Sequence, residues 1–333
     1  MSAAAPSTAS VEPLPFERAA VIGSGAWGTT FACLLGEAGV PTTVWARREE
    51  VAREITGGTN ERYVPGRRLP EAVTGTSDLA AAVDGAGLVV VAVPSQSARG
   101  VLAPLAGALA DDAAAVSLMK GVELGTGMRM SQVLGEALAL PEERVAVVSG
   151  PNLADEIAAG QPTATVVAAR DQELAARVAA ACATSTFRPY TNADVLGVEL
   201  CGAVKNVIAL AVGCAVGCGF GDNSKATIIT RGLVEITRLG LALGASPETF
   251  AGLAGTPAEP GALGRVGELG RVAGGDFDQL RPCGVVVVEH SLRRVGVWHR
   301  RRCPNGSGQH RDRWTVHRGD VPDAAVPGGA GRG

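Results

Sequence analysis

Short apolar runs alternate with longer stretches of helical length over the first 190 residues. The runs that predict strands are Ala19–Ile22, Thr42–Ala46, Leu88–Val93, Ala113–Met119, Val145–Ser149 and Thr163–Ala168. Most of them are continuously apolar, which is typical of parallel strands that helices cover on both faces. The alternation predicts an α/β fold with a doubly wound parallel sheet over residues 17–190.

The pattern changes twice after the predicted sheet. Long apolar segments at 192–216 and 225–243 predict the start of an all-α second domain over 191–255. Over 256–333 the chain has twelve Arg, no Lys and little helical periodicity, so we expect an atypical, disordered tail. Residues 1–16, rich in Ala, Ser and Pro, lack an apolar run and predict a disordered leader rather than a signal peptide.

Composition narrows the class of protein. Hydrophobic residues make up 46% of the chain and the net charge is -3, so we expect a soluble protein without a bias toward nucleic acid or membrane. The apolar segment 195–216 contains Glu199, Lys205 and Asn206, which a membrane span tolerates poorly, so a buried helix is expected. Scattered cysteines without a C-x-x-C pair favour the cytoplasm. The tail histidines and cysteines match no zinc spacing, and no metal site is predicted.

The segment Val21-Ile-Gly-Ser-Gly-Ala-Trp-Gly28 has the spacing of a dinucleotide-binding turn. Gly23 would permit the tight turn, Gly25 the approach of a pyrophosphate, and Gly28 close packing of helix on strand. The following helix would face the anion with free N–H groups. A strand before the turn and a helix after it strengthen an otherwise weak motif. We therefore predict a Rossmann-type domain that binds NAD or NADP.

Two arginines end the second predicted strand, Arg47 and Arg48. An NAD-selective site usually has an acidic residue there, for the ribose 2′-hydroxyl. A guanidinium suits a 2′-phosphate instead, so we expect NADP to be accepted alongside NAD. The alternative is a solvated charge pair with Glu49 and Glu50.

Three further segments follow predicted strands, where ligands bind in open α/β sheets. Pro94 ends a strand beside the expected nicotinamide ribose, although an ordinary turn explains it equally well. Lys120 could hold a phosphorylated substrate or the cofactor, or be a solvated loop lysine. The segment Ser149–Ala154 could bind a hydroxyl or phosphate oxygen through its amides, or simply begin a helix.

Lys205 is the strongest catalytic candidate. Its neighbours in Glu199-Leu-Cys-Gly-Ala-Val-Lys-Asn-Val-Ile-Ala-Leu210 are mostly apolar, and desolvation lowers the pKa of a lysine. It could then donate a proton to a carbonyl oxygen near neutral pH and take it back in reverse. Asn206 could orient the substrate. The alternative is a lysine that snorkels from a buried helix.

Taken together, these residues resemble the bacterial NAD(P)-dependent glycerol-3-phosphate dehydrogenases over 17–255. The matching segments, in family order, are Gly23–Thr29, Trp45–Arg48, Ser117–Glu123, Ser149–Ala154, Glu199–Asn206, Gly219–Ala226 and Thr249–Gly255. The resemblance implies reversible reduction of dihydroxyacetone phosphate to sn-glycerol 3-phosphate for phospholipid synthesis, and allows a homodimer.

The resemblance also implies roles for single residues. Those that would line the cofactor site are Ala26, Trp27, Arg47, Arg48, Lys120 and Ala154. Lys120 would also contact the substrate, together with Gly150 and Asn152. Lys205 would be the proton donor and acceptor, which agrees with the chemistry expected of a desolvated lysine.

The tail departs from the family pattern. After Gly255 the family continues with a Leu-Gly-Asp segment and a Ser-Arg-Asn stretch, which supply a catalytic-site aspartate and the grip on the substrate phosphate. Neither occurs in 256–333. We hypothesise a frame disruption near codon 256, since a high-GC frame read out of phase gives Arg, Gly, Pro and Ala. An inactive NADP-binding remnant and a related hydroxyacid dehydrogenase are the alternative functions.

Overall fold

A computed structural model describes residues 16–217 and 219–255 in full, and the backbone of 298–304 and 310–316. The residues as far as Gly255 belong to one compact unit, and the last two strands belong to a second. The remaining tail and residues 1–15 of the predicted leader lie outside the described residues.

The second unit contains an antiparallel pair, β9 (Trp298–Pro304) and β10 (His310–Val316), in which Val316 pairs with Trp298. These two strands lie within the segment 256–333, for which we expect a disordered tail. The sequence between them contains Asn305-Gly306, a dipeptide typical of hairpin turns.

The first unit is built on an eight-stranded sheet in the order β3-β2-β1-β4-β5-β6-β7-β8. The strands are β1 (Ala19–Ile22), β2 (Thr42–Trp45), β3 (Val73–Thr76), β4 (Leu88–Val91), β5 (Ala114–Ser117), β6 (Val145–Ser149), β7 (Thr163–Ala169) and β8 (Phe187–Asn192). Every neighbouring pair is parallel except β6 and β7. The predicted Rossmann-type α/β sheet is confirmed.

Two strands, β3 and β8, are not predicted by the sequence pattern, and both lie at the edges of the sheet. Strand β3 has the sequence Val73-Thr-Gly-Thr76, and only Val73 is buried. In β8 only Phe187 is buried, and the five residues after it are partly or fully exposed. An edge strand pairs on one side and is less covered, so it needs no continuous apolar run. Strand β8 continues as far as Asn192, which pairs with Ala168.

The direction of β7 corrects the prediction of an all-parallel sheet. Strand β7 runs antiparallel to β6, with Ser149 opposite Val166. An apolar run does not report its own direction, so the sequence could not distinguish the two cases. The reversal places Thr165 beside Gly150, where the chain leaves β6: Thr165 Oγ1 donates a 3.2 Å hydrogen bond to the carbonyl of Ser149.

Helices cover both faces of the sheet. They are α1 (Ala26–Glu37), α2 (Glu49–Thr56), α3 (Leu79–Val83), α4 (Ala98–Leu102), α5 (Met130–Leu138), α6 (Ala154–Ala158) and α7 (Gln172–Cys182). One core includes buried residues of α1, α2, α6 and α7, and the other those of α3, α4 and α5. Phe16 is buried in the first core, with the Arg177 guanidinium 4.4 Å from its ring centroid.

Three more helices follow the sheet: α8 (Val195–Gly217), α9 (Asp222–Ala242) and α10 (Pro247–Ala251). Both predicted long helices are present, and α9 begins three residues earlier than expected. The Asp194 carboxylate accepts hydrogen bonds from Gly197 N, Ser246 N and Thr249 Oγ1 at 2.7–2.9 Å. This one side chain therefore caps α8 and holds the segment that contains α10.

Helix α8 is also long and apolar enough to cross a membrane, judged by length and composition over the described residues. Half of its most apolar window is buried inside the protein. Its buried residues include Glu199 and Lys205, and residues on its first turns pack with β6 and β7 in a third core.

The glycine-rich turn offers a matched stability test. A Cβ on Gly28 would lie 2.1 Å from the Gly23 carbonyl oxygen, whereas a Cβ on Gly25 would have nothing within 4 Å. We expect Gly28→Ala to lower the free energy of unfolding by about 1–3 kcal/mol, because α1 must move away from β1. Gly25→Ala, at the helix N-cap, should cost less than about 1 kcal/mol. Urea unfolding followed by circular dichroism measures both, and equal losses would contradict the close-packing argument.

Candidate functional site

The glycine-rich turn joins β1 to α1 at the carboxyl edge of the sheet. Gly23 has φ +123°, and a Cβ there would lie 2.5 Å from the Ala92 carbonyl oxygen. Gly25 is the N-cap of α1 and makes no side-chain cap, so the first N–H groups of the helix point toward open space. This arrangement fits a pyrophosphate at the helix N-terminus.

Asn60 fixes the shape of this turn and was missed in the sequence. It is fully buried, and its Nδ2 donates hydrogen bonds to Thr29 Oγ1 at 2.8 Å and to the Ser24 carbonyl at 3.1 Å. The contact spans more than thirty residues and depends on how the chain returns after α2. No local sequence pattern predicts this contact.

A shallow cavity of about 430 Å³ opens beside the turn. Its lining residues are Ala26, Leu153, Ala154, Asp155, Glu156 and Gln161. The structure thus brings together Ala26 and Ala154, two residues proposed for the cofactor site. Trp27 lies on the same turn, with its ring 5.6 Å from that of Phe31 in an edge-on arrangement. Its buried Nε1 meets no acceptor among the described residues.

Arg47 and Arg48 follow β2 and are exposed. Arg48 Nη1 lies 3.5 Å from Glu50 Oε1, as the alternative interpretation expected. Arg47 has no ion pair within the part of the chain that the structure describes. An exposed, unpaired guanidinium at the end of β2 can reach a 2′-phosphate without first breaking an internal contact.

Lys205 is buried within α8, with 3% of its surface exposed. Its Nζ donates a 2.8 Å hydrogen bond to the Gly150 carbonyl oxygen. Burial, and then the positive charge of Lys120, lower the pKa of Lys205 to about 8, and Cys201 opposes this shift. The side chain does not snorkel to the surface, so the alternative expectation for Lys205 is wrong.

Lys120 reaches the same place from the end of β5. A Cβ on Gly202 of α8 would lie 2.6 Å from Ser149 Oγ and 3.8 Å from Lys120 Cγ. The absence of a side chain at Gly202 therefore allows α8 to approach both strand ends. Lys120 as a whole is exposed, but protein packed around its ammonium group partly removes that group from water. This desolvation lowers the pKa of Lys120.

Orphaned polar atoms surround the two lysines. Both amide atoms of Asn152 and the hydroxyl of Ser149 are buried and have no partner among the described residues. Such groups are costly unless something hydrogen-bonds to them, and a polyhydroxylated or phosphorylated ligand would. Asn206 differs: it is exposed beside the buried Lys205.

A second residue missed in the sequence, Glu199, anchors α8. Its side chain is 5% exposed, forms an ion pair with Arg129, and accepts hydrogen bonds from Ser131 N at 2.8 Å and Ser131 Oγ at 2.6 Å. In the sequence, Glu199 stands in an apolar segment, where it argues against a membrane span. A buried carboxylate needs a partner, and that requirement could have prompted a search for one.

Comparison with known proteins places this site in context. The model of the NAD-dependent glycerol-3-phosphate dehydrogenase N-terminus matches residues 18–175, and that of the C-terminus matches 194–257. A relative from Streptomyces griseus, glycerol-3-phosphate dehydrogenase (NAD(P)+), is 57% identical over 239 residues, which are 72% of this chain and 71% of the relative. The enzyme of the same name from Thermobifida fusca is 55% identical over 240 residues, again 72% and 71% of the two chains.

Solved structures agree with this match. The glycerol-3-phosphate dehydrogenase of Coxiella burnetii superposes with a TM-score of 0.71 at 29% identity, covering 83% of this chain and 91% of its own. That of Saccharomyces cerevisiae gives a TM-score of 0.69 at 29% identity, covering 77% and 80%.

The anchor of α8 can be tested by stability. Glu199→Gln should lower the free energy of unfolding by roughly 2–3 kcal/mol, below the ~3–5 kcal/mol of a fully buried pair because Arg129 is 25% exposed. The matched control, Glu142→Gln, removes the exposed partner of Arg170 and should stay within about 0.5 kcal/mol. Urea unfolding of the three proteins measures this, and a loss no larger than that of the control would refute the anchoring role.

Proposed function

This chain belongs to the NAD-dependent glycerol-3-phosphate dehydrogenase family, and from that premise we propose how its own residues reduce dihydroxyacetone phosphate. The family makes it an NAD(P)-dependent oxidoreductase. The observation that carries the proposal is the buried Lys205 ammonium beside Gly150, with Lys120 close by.

Lys205 acts as the proton donor in the direction of ketone reduction. When bound, the nicotinamide supplies the hydride to the carbonyl carbon. Negative charge then grows on the carbonyl oxygen, and the Lys205 ammonium stabilises that charge and gives up its proton to the oxygen. In the reverse direction the neutral amine takes the proton from the hydroxyl. A lysine pKa near 8 suits both directions close to neutral pH.

The cofactor is held at the carboxyl edge of the sheet. The open space over Gly25 and the free N–H groups of α1 fit its pyrophosphate. Gly23 and Gly28 shape that turn, and Ala26, Trp27 and Ala154 lie around it. Arg47 and Arg48, which are exposed at the end of β2, would bind the 2′-phosphate of NADP, and NAD would be accepted as well.

The substrate is held between the strand ends and α8. Lys120 contributes a positive charge that both the cofactor and the substrate phosphate can use. The unpartnered amide of Asn152 and the backbone at Gly150 support a contact with the substrate hydroxyl groups. Asn206, exposed next to Lys205, is a weaker candidate for orienting the substrate.

The first experiment measures NADPH oxidation with dihydroxyacetone phosphate and NADPH binding on the same purified sample. Turnover supports the proposed reaction, and a panel of other ketones distinguishes it from a related hydroxyacid dehydrogenase. Absence of turnover with intact binding would reject the activity for this chain while leaving the cofactor site standing.

One observation favours a second candidate, an NADP-binding protein without turnover. The C-terminal family model matches only as far as residue 257, although the chain continues to 333. The resemblance leads us to expect a Leu-Gly-Asp segment with a catalytic-site aspartate and a Ser-Arg-Asn stretch that grips the substrate phosphate, and neither occurs in the remainder. The frame disruption, the cytoplasmic location, the homodimer and the domain limits stay predictions.

Replacement of Lys205 tests the proton transfer. Lys205→Met should lower kcat for ketone reduction by about 10²–10⁴-fold and leave NADPH binding unchanged. In the unsubstituted protein, reduction should fall as the pH rises through about 8, because the ammonium is lost, and glycerol 3-phosphate oxidation should rise over the same range. Rates measured between pH 6 and 10 in both directions check this, and identical pH profiles for the two directions would contradict it.

Replacement of Arg47 tests the choice of cofactor. Arg47→Ser should weaken NADPH binding by roughly 10–100-fold, the value of one or two hydrogen bonds to a charged group, and leave NADH binding nearly unchanged. Arg53→Ser is the matched control, since Arg53 is an exposed arginine that pairs with Glu49 on α2. Fluorescence titration gives both constants, and an equal loss for NADH would rule out the contact with the 2′-phosphate.

A further inference from the structure

A single loop joins Lys120 to Arg129, the partner of Glu199 on the helix that bears Lys205. It runs over residues 120–129, from Lys120 at the end of β5 to Arg129 before α5, and we call it the lysine loop. The side-chain amide of Gln96 joins it on one side: Nε2 donates to the Val122 carbonyl at 2.8 Å, and Oε1 accepts from Leu124 N at 2.9 Å. Gln96 thus pairs with the loop as a neighbouring strand would.

A charged cluster holds the middle of the lysine loop. Arg99 of α4 grips Glu123 with a parallel fork, Nε to Oε1 at 2.8 Å and Nη2 to Oε2 at 2.9 Å. Its third nitrogen, Nη1, reaches Glu136 on α5 at 2.9 Å, and Thr126 Oγ1 donates to Glu123 at 2.7 Å. A two-point fork fixes direction as well as distance, which a lysine could not do.

Exposure differs within the cluster, since the side chain of Arg99 is 38% exposed and that of Glu136 is 53% exposed. The Glu123 side chain is only 13% exposed, and hydrogen bonds from Arg99 and Thr126 lower the pKa of its carboxyl to about 2. Glu123 therefore stays ionised, and the fork stays formed, throughout the range in which the site would work.

The far end of the lysine loop is tied to α8. Val122 and Arg129 pair across the loop in an antiparallel bridge. Arg129 in turn forms the ion pair with the buried Glu199, less than two turns of helix before Lys205. The loop thus has Lys120 at one end and the anchor of the Lys205 helix at the other.

We propose that Arg99 and Glu123 are positioning residues that hold Lys120 against the Lys205 ammonium. The proposal deepens the proposed function and rests on it for its purpose. Two like charges repel, so Lys120 would turn toward solvent if nothing fixed the backbone from which it projects. The fork and the Gln96 amide supply that constraint within the described residues.

The effect can be read on Lys205 itself, without turnover. The titratable groups that act on it in the described structure are the Lys120 ammonium and the Cys201 thiol. If Lys120 moves away, the pKa of Lys205 must rise from about 8 toward its ordinary value. The chain has only three lysines, Lys120, Lys205 and Lys225, so the ε-CH₂ signals of ¹³C-lysine-labelled protein can be resolved and titrated.

The experiment titrates the full chain from pH 6 to 11 with and without Arg99→Met, which removes the fork and keeps the apolar stem. We expect the proton affinity of Lys205 to rise at least roughly threefold, about half of a tenfold step on the logarithmic scale. Glu123→Gln, which nearly preserves the shape of the side chain, should raise the pKa of Lys205 as well. Arg99→Lys keeps the charge without the fork, so its Lys205 pKa should lie between those of the unsubstituted protein and Arg99→Met. In the active enzyme, the KM for dihydroxyacetone phosphate should rise more than that for NADPH.

The control is Arg170→Met, which breaks an exposed pair with Glu142 at 2.6 Å outside the lysine loop. It should leave the pKa of Lys205 unchanged. An unmoved titration in folded Arg99→Met and Glu123→Gln proteins would overturn the proposal, as would an equal shift in the control. Failure of the proposed function is seen separately, as absent turnover in the unsubstituted protein, because the titration needs no reaction.

Discussion

The burial of one ammonium group is the physical constraint on which the rest of the site depends. Lys205 lies inside α8 with a single carbonyl partner, and a charge taken out of water is unfavourable unless the surroundings compensate. The protein accommodates it by lowering its proton affinity, and a second ammonium, that of Lys120, strengthens this effect. The low proton affinity that results from burial also makes the group useful for proton transfer.

The geometry that brings these groups together depends on close approach at two glycines. At Gly28 helix α1 packs against the turn that precedes it, and at Gly202 helix α8 packs against the ends of β5 and β6. The first approach leaves helix N–H groups free for an anion, and the second brings Lys205 to the backbone of Gly150. A cofactor at one glycine and a substrate at the other would thus meet along one edge of the sheet, where parallel strands end.

Sequence reasoning recovered the parts of this protein that depend on local pattern. The buried central strands are continuous apolar runs, and the dinucleotide turn has its glycines at fixed spacing, so both were predictable. The edge strands β3 and β8 were not, because one-sided pairing relaxes their composition. The direction of β7 and the contacts of Asn60, Arg99 and Glu199 depend on residues distant in the chain. Lys120 and Lys205 could each be named, but their proximity could not, since it follows from the docking of α8.

The Asp194 carboxylate has a consequence for how the chain folds. It caps the first turn of α8, yet two of its three hydrogen bonds come from Ser246 and Thr249, more than fifty residues later. Contacts of long sequence separation form late, because the intervening chain must be ordered first. On the ribosome, the sheet can be complete while this carboxylate still has only its local partner. The helix that bears Lys205 would therefore gain its final capping only after α10 has been synthesised, which makes the full anchoring of this helix one of the last events in the folding of this unit.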